Sequence, residues 1–129
     1  MNDILREKGG QTVTIDKSLL TGSTTTLVLK LLEERDMYGY QMIEVLSERS
    51  DDTFQLKAGT LYPILHGLEK DGMLRSYERQ EEGERVRKYY HLTAEGKKLL
   101  EKKTEEWEEY SRAVNKVLGR RRGYETIQG

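Results

Sequence analysis

The sequence has no cysteine. That excludes disulfides, a thiol nucleophile and any Cys-ligated metal site. It has one proline and one tryptophan among 129 residues. No apolar run approaches the roughly 18 residues of a membrane-spanning helix, so no membrane partner is expected. The first residues, Met1 to Glu7, lack the apolar stretch of a signal peptide, and a cytoplasmic location is the expectation. There is no P-loop, no dinucleotide-type glycine pattern and no G-x-S-x-G, so an enzyme is not expected. His66 and His91 stand alone, without a clustered carboxylate pattern. Neither a metal nor a cofactor is expected.

What is present is charge and helical periodicity. The 22 basic and 23 acidic residues leave a net charge of −1. That balance is uneven: −4 over residues 1–56, +1 over 57–92 and +2 over 93–129. Nucleic-acid binding would therefore have to come from a local patch. The length is that of one domain. With only 35% hydrophobic residues, the core is lean, and a second copy of the chain is expected to complete it.

The pattern predicts an N-terminal arm over residues 1–18, loosely structured and broken at Gly9-Gly10. A helix is predicted over 20–35, with Leu20, Leu27, Val28, Leu31 and Leu32 on one face and Ser23 or a neighbouring Thr capping its start. A second helix is predicted over 39–50, with Tyr40, Ile43 and Leu46 inward and Met42 and Val45 flanking. A third covers 57–71, with Leu61, Ile64, Leu65 and Leu68 inward and Gly72 as the residue past its end. Strands over 73–79 and 86–92 flank a polar loop and suit a hairpin. Tyr90 is assigned to the core and Tyr89 left open. A long helix over 94–118 opens on Thr93 as N-cap. Its seam of Leu100, Lys103, Trp107, Tyr110, Val114 and Val117 recurs at steps of three and four. Residues 119–129, with Arg120, Arg121 and Arg122, form a basic, flexible tail in this reading. The fold class is mainly α with a small β-hairpin: a winged helix-turn-helix over 19–92, followed by a C-terminal dimerisation helix over 93–118.

Four segments carry a resemblance: Leu19 to Gly22, Met37 to Met42, Gly59 to Gly72 and Arg87 to Thr93. Their Gly-Thr-Leu-Tyr-Pro and Arg-Lys-Tyr-Tyr-x-Leu-Thr runs resemble the PadR family of bacterial transcriptional regulators, in its smaller subfamily with one short C-terminal helix. The likeness covers residues 19–118. It implies a homodimer with a winged helix-turn-helix in each subunit, acting as a repressor or related regulator whose operator binding is relieved by a small molecule or another signal. Lys57 stands where the family often has Ser, and Gly67 where it often has Arg or Lys. Glu81, Glu82 and Glu84 make the wing tip less basic than in many relatives.

On this reading the partner is double-stranded DNA. Lys57, Gly59, Thr60 and Tyr62 open the recognition helix, whose first turns reach base edges and phosphates. Tyr38 and Gln41 extend a phosphate clamp at the start of the second helix, where Tyr40 is assigned to the core. Arg85, Arg87 and Lys88 give the wing its cations. Leu20 and Val28 of the first helix join Leu100, Trp107, Tyr110, Val114 and Val117 in the dimer. Trp107 and Tyr110 either pack that dimer or stack a small planar aromatic effector in it. The alternative is a ligand- or partner-binding module on the same fold, without sequence-specific DNA binding. The Glu-rich wing tip is the feature that favours it.

Overall fold

The structure, a computed structural model, describes residues 4–8 and 11–120. An antiparallel pair, β1 (Ile4–Lys8) and β2 (Gln11–Ile15), comes first, with Ile4 opposite Ile15. It stands where a loose arm was expected; Gly9 and Gly10 lie outside the described residues. Helix α1 (Lys17–Glu34) begins three residues earlier than its apolar pattern suggests. Its N-cap position is Asp16, so the Ser and Thr residues are not caps. Thr24 is buried inside the helix and its hydroxyl donates to the Leu20 carbonyl at 3.0 Å. Folding back onto the preceding turn lets a buried hydroxyl stay satisfied within a helix.

A two-residue strand, β3 (Met37–Tyr38), leads directly into α2 (Gly39–Arg49). Helix α3 (Ala58–Lys70) follows, with Gly72 in the left-handed region just past its end. Strands β4 (Leu74–Arg79) and β5 (Arg87–Leu92) form the predicted hairpin. The sheet order is β3-β5-β4, all antiparallel, so the hairpin is one side of a three-stranded sheet. Helix α4 (Ala94–Val117) closes the described chain, and Thr93 caps it by accepting the Gly96 N–H at 3.1 Å. Of the predicted basic tail, Arg120 is described and residues 121–129 lie outside the described residues.

One core holds the four helices and the three-stranded sheet together. Val28, Leu29, Leu31 and Leu32 of α1 meet Met42 and Leu46 of α2, and Leu61, Leu65 and Leu68 of α3. Leu74, Tyr90, Leu92 and Leu100 complete it from the sheet and α4. Each such side chain contributes about 1.5–3 kcal/mol by leaving water. Three expectations are corrected here. Tyr40 is 53% exposed, not core. The fully buried face of α2 runs Gly39, Met42, Leu46: Leu46 lies inward as predicted, Met42 is core instead of flanking, and Ile43 is only partly buried against the core. Val28 and Leu100 are buried within the single chain, at 0% and 5% exposure, and offer a second copy no open surface.

Candidate nucleic-acid interface

Helix α3 divides cleanly. Leu61, Leu65 and Leu68 go into the core, while Lys57, Gly59, Thr60, Pro63, His66 and Gly67 are exposed. Lys57 is the N-cap residue and makes no side-chain cap bond. Its carbonyl takes the N–H groups of Thr60 and Leu61 at 2.9 and 3.0 Å, and the residue is exposed. A Cβ added to Gly59 or Gly67 would meet nothing within 4 Å. The packing of the head therefore needs neither glycine.

Tyr62 behaves differently. Its ring lies across the start of α2, where a Cβ on Gly39 would fall 2.1 Å from the Tyr62 hydroxyl oxygen and 2.5 Å from Cζ. Burial, with smaller contributions from Tyr90 and Tyr40, raises the Tyr62 hydroxyl above its ordinary value, and nearby Lys88 opposes the shift. Tyr62 thus sets the contact of α3 on α2, with its hydroxyl at the N-terminus of α2. Gln41 turns back to accept the Tyr38 backbone N–H at 3.4 Å.

The wing has two faces, set by the alternation of its strands. The face toward α3 carries Lys88, whose ammonium is 3.8 Å from Glu69. Glu69 also accepts the Ser76 hydroxyl at 2.5 Å, which ties α3 to β4. The opposite face is aromatic and cationic. Tyr77 stacks on Tyr89 at 5.7 Å, and Tyr38 meets Tyr89 edge-on at 5.3 Å. The Arg79 guanidinium lies over Tyr89 at 5.2 Å and that of Arg87 over Tyr38 at 4.3 Å. Tyr89 and Tyr90 are therefore both buried, on opposite sides of one strand.

Arg87 is only 27% exposed in its side chain. Its Nε is buried and makes no hydrogen bond, and Glu84 at 3.8 Å is a charge contact too long to be one. At the tip, Glu81 pairs with Arg79 at 2.6 Å, and that carboxylate raises the Arg79 guanidinium above its ordinary value. Two of the three tip glutamates are thus turned back onto strand arginines. Arg85 is exposed and has no ion pair among the described residues.

Sequence reasoning missed Arg75, Tyr77, Arg79, His91 and Asp36. The first three alternate along β4 and face Arg87, Tyr89 and His91 across the ladder, a period-two signal visible in the sequence. Asp36 accepts the Tyr77 hydroxyl and lies 2.9 Å from His91 Nδ1. Burial alone would raise the Asp36 carboxyl, but the hydrogen bonds from Tyr77 and His91 outweigh it and hold it below its ordinary value.

Along α4, Trp107 is 51% exposed, Tyr110 60% and Val117 88%, with Val114 also exposed. The Trp107 and Tyr110 rings lie 6.3 Å apart. Leu20 is half-buried. The apolar seam of the single chain is thus open from Trp107 onward.

Three core helices, a three-stranded wing sheet and a long trailing helix define a winged helix-turn-helix protein. Residues 28–102 match the transcriptional regulator PadR-like family, and the chain belongs to that family. It is 33% identical over 87 residues to a transcriptional regulator of Mycobacterium tuberculosis, covering 67% of this chain and 78% of that one. A transcriptional regulator from Clostridium thermocellum superposes with a TM-score of 0.73 at 36% identity, covering 79% of this chain and 96% of the other. A PadR family transcriptional regulator from Eggerthella lenta gives 0.70 at 33% identity, covering 78% and 86%.

Proposed function

We propose that this PadR-family transcriptional regulator is a homodimeric repressor that binds a near-palindromic operator. The observation that carries this reading is the exposed face of α3. Lys57, Gly59 and Thr60 are presented to solvent by a helix whose other face is fixed in the core. Two such helices would enter successive major grooves about 34 Å apart. Lys57 and Thr60 would contact bases and phosphates, Gly59 would admit the DNA backbone, and Tyr62 and Gln41 would hold phosphate at the start of α2. Tyr38 supports the wing beneath Arg87 on this reading. Arg85 is the wing's DNA cation, with Arg87 and Lys88 behind it.

Trp107, Tyr110, Val114 and Val117, with Leu20, would form the dimer. An open stripe of this kind calls for a partner, and a second copy is the simplest. A small planar effector between the two Trp107–Tyr110 pairs would release the operator through its different affinity for the two dimer spacings.

Fluorescence anisotropy against the DNA upstream of the protein's own gene, compared with scrambled DNA across a salt series, tests the reading. Preference for the upstream duplex is expected, with affinity falling by about 0.9 log units per log unit of salt for each phosphate neutralised. No preference for any duplex, either upstream DNA or one selected from a random pool, would leave the ligand-binding module.

A further inference from the structure

Thr93 stands where the wing ends and α4 begins, and it does more than cap. Its hydroxyl oxygen accepts the Gly96 N–H at 3.1 Å. The same hydroxyl shares its one proton between two carbonyls, Gly72 at 2.7 Å and Met73 at 3.0 Å. The Thr93 backbone N–H also donates to the Met73 carbonyl, at 3.1 Å. Those two carbonyls belong to the turn that closes α3. The Gly72 N–H donates to the Glu69 carbonyl at 3.0 Å and the Met73 N–H to the Leu68 carbonyl at 2.9 Å. Gly96, buried in the first turn of α4, lies bare against the same corner. A Cβ there would come within 2.2 Å of the Met73 oxygen and 2.5 Å of Leu92 Cδ1.

Capping requires only an acceptor. The donation from Thr93 to a different element is surplus to that need. It joins the root of α4 directly to the tail of α3 through the one hydroxyl. We propose that Thr93 is a positioning residue that fixes the bearing of α4 relative to α3, so that a change in direction of the long helix reaches the DNA-facing helix instead of being absorbed at residue 93. The joint itself is a property of the single chain. Its consequence for DNA rests on the dimeric reading above: with two heads, a stiff joint sets the distance between the two α3 helices.

Substitutions separate the cap from the clasp. Thr93→Asp keeps an acceptor for Gly96 but has no proton for the Gly72 and Met73 carbonyls. Thr93→Ser keeps both functions. The chain has no native cysteine, so Lys70→Cys on α3 and Glu108→Cys on α4 give two unique spin-label sites in the full-length protein. Dilution with excess unlabelled chain restricts the measurement to distances within one subunit. The expected result is a narrow distance distribution for the parent and for Thr93→Ser. For Thr93→Asp the width should roughly double, as for a corner released to local opening, at unchanged helix content by circular dichroism. Gly96→Ala, which leaves the hydroxyl in place, is expected to shift the mean distance by pushing α4 off the Met73 carbonyl. A Thr93→Asp distribution as narrow as the parent's overturns the proposal. So does a Thr93→Ser distribution as broad as that of Thr93→Asp, or an unmoved mean in Gly96→Ala.

A duplex selected from a random pool by the parent protein supplies the functional arm. Thr93→Asp is expected to bind a single half-site as the parent does, and to lose about tenfold on the full site through reduced effective concentration. Equal losses on both would overturn the positioning role. If the distances behave as stated and the parent selects no duplex, the joint stands and the regulator reading falls.

Discussion

The carboxylate of Asp36 accepts a hydrogen bond from the Tyr77 hydroxyl at 2.6 Å, across 41 positions of chain. The same carboxylate holds His91 Nδ1 at 2.9 Å on the neighbouring strand. Asp36 sits between α1 and β3, so one side chain fastens both hairpin strands to the helical body. The hydrogen bond to Asp36 also raises the Tyr77 hydroxyl above its ordinary value, because the carboxylate favours the protonated phenol.

This clasp makes stability depend on acid pH. The Asp36 carboxyl ordinarily titrates at 3.8 and is held lower in the folded chain. Its ionised form therefore stabilises the fold in full above that value. The contribution is lost as pH falls from there through the lower folded-state value. Asp36→Asn is expected to cost about 1.5 kcal/mol near neutral pH, the low end for hydrogen bonds to a charged group because the carboxylate is partly exposed. Urea unfolding at stepped pH should show the gap between parent and variant narrowing below pH 3.8. A gap of constant size would mean that the charge on Asp36 contributes nothing.

Gly39 and Tyr62 form a second linked pair. With the Tyr62 hydroxyl oxygen 2.1 Å from where a Gly39 Cβ would lie, Gly39→Ala must displace either the ring or α2. A cost of about 1–3 kcal/mol is expected, as for other overpacked sites. Operator affinity should fall with it, since the angle between α2 and α3 changes. In Gly39→Ala with Tyr62→Ala the clash is gone, so the two costs should be strongly non-additive. Additive costs measured by thermal unfolding would show that the two residues do not press on each other.

Much of this architecture is legible in the spacing of apolar residues. Leu61, Leu65 and Leu68 lie inward on α3, and Thr93 caps α4, as the pattern predicts. Tyr40 reads as core in the sequence yet is exposed, because α2 is short and its apolar residues fit two helical phases. Tertiary packing decides for the face running through Met42 and Leu46, which enter the core while Gly39 lies under Tyr62. Strand β3 is two residues long and has no period of its own. It exists because Met37 and Tyr38 pair with Tyr90 and Tyr89 far along the chain. The wing's outer face was half visible: Arg75, Tyr77 and Arg79 alternate in the sequence, but their partners Tyr38 and Asp36 arrive from another element. Val28 shares the apolar face of α1 with Leu20, but periodicity marks such a face without saying which neighbour covers it, and α1 buries Val28 in its own chain.

Gly59 and Gly67 should part company when each is replaced. Neither has a neighbour within 4 Å of an added Cβ, and both occupy a helix, where Ala is favoured by about 0.5–1 kcal/mol. Gly59→Ala and Gly67→Ala are both expected to raise the thermal midpoint. Operator affinity should fall only in Gly59→Ala, since a methyl group in the first turn of α3 would obstruct close approach of the DNA backbone. Unchanged affinity in Gly59→Ala would move the DNA contact away from the first turn.

The wing arginines are expected to differ in kind. Arg85 is exposed at the tip, whereas Arg87 covers Tyr38 and is largely enclosed. Arg85→Ala should leave stability unchanged and flatten the salt dependence of DNA binding by about one phosphate's share. Arg87→Ala should lower stability by about 0.5–2 kcal/mol through the lost ring contact and shift affinity only as far as the wing moves. Lys88, 3.8 Å from Glu69, should affect the salt slope less than Arg85. Equal slopes for the parent and Arg85→Ala would remove the tip from the DNA interface.

Trp107 is the sharpest probe of assembly. A side chain of this size, half exposed beside Tyr110 and in line with Val114 and Val117, contributes nothing to the core of its own chain. Trp107→Ala should therefore leave the unfolding of a dilute monomer nearly unchanged. If two α4 helices pair through this stripe, the same substitution removes a central aromatic anchor, and such anchors typically contribute 2 kcal/mol or more. That corresponds to a dimer dissociation constant raised about thirtyfold or more. Sedimentation equilibrium over a range of concentrations measures it directly, and operator binding should weaken in step, because each head alone would read only a half-site. A parent protein that sediments as a monomer at micromolar concentration, or a Trp107→Ala dimer as tight as the parent's, would take α4 out of the dimer. The exposed stripe would then have to meet a different partner.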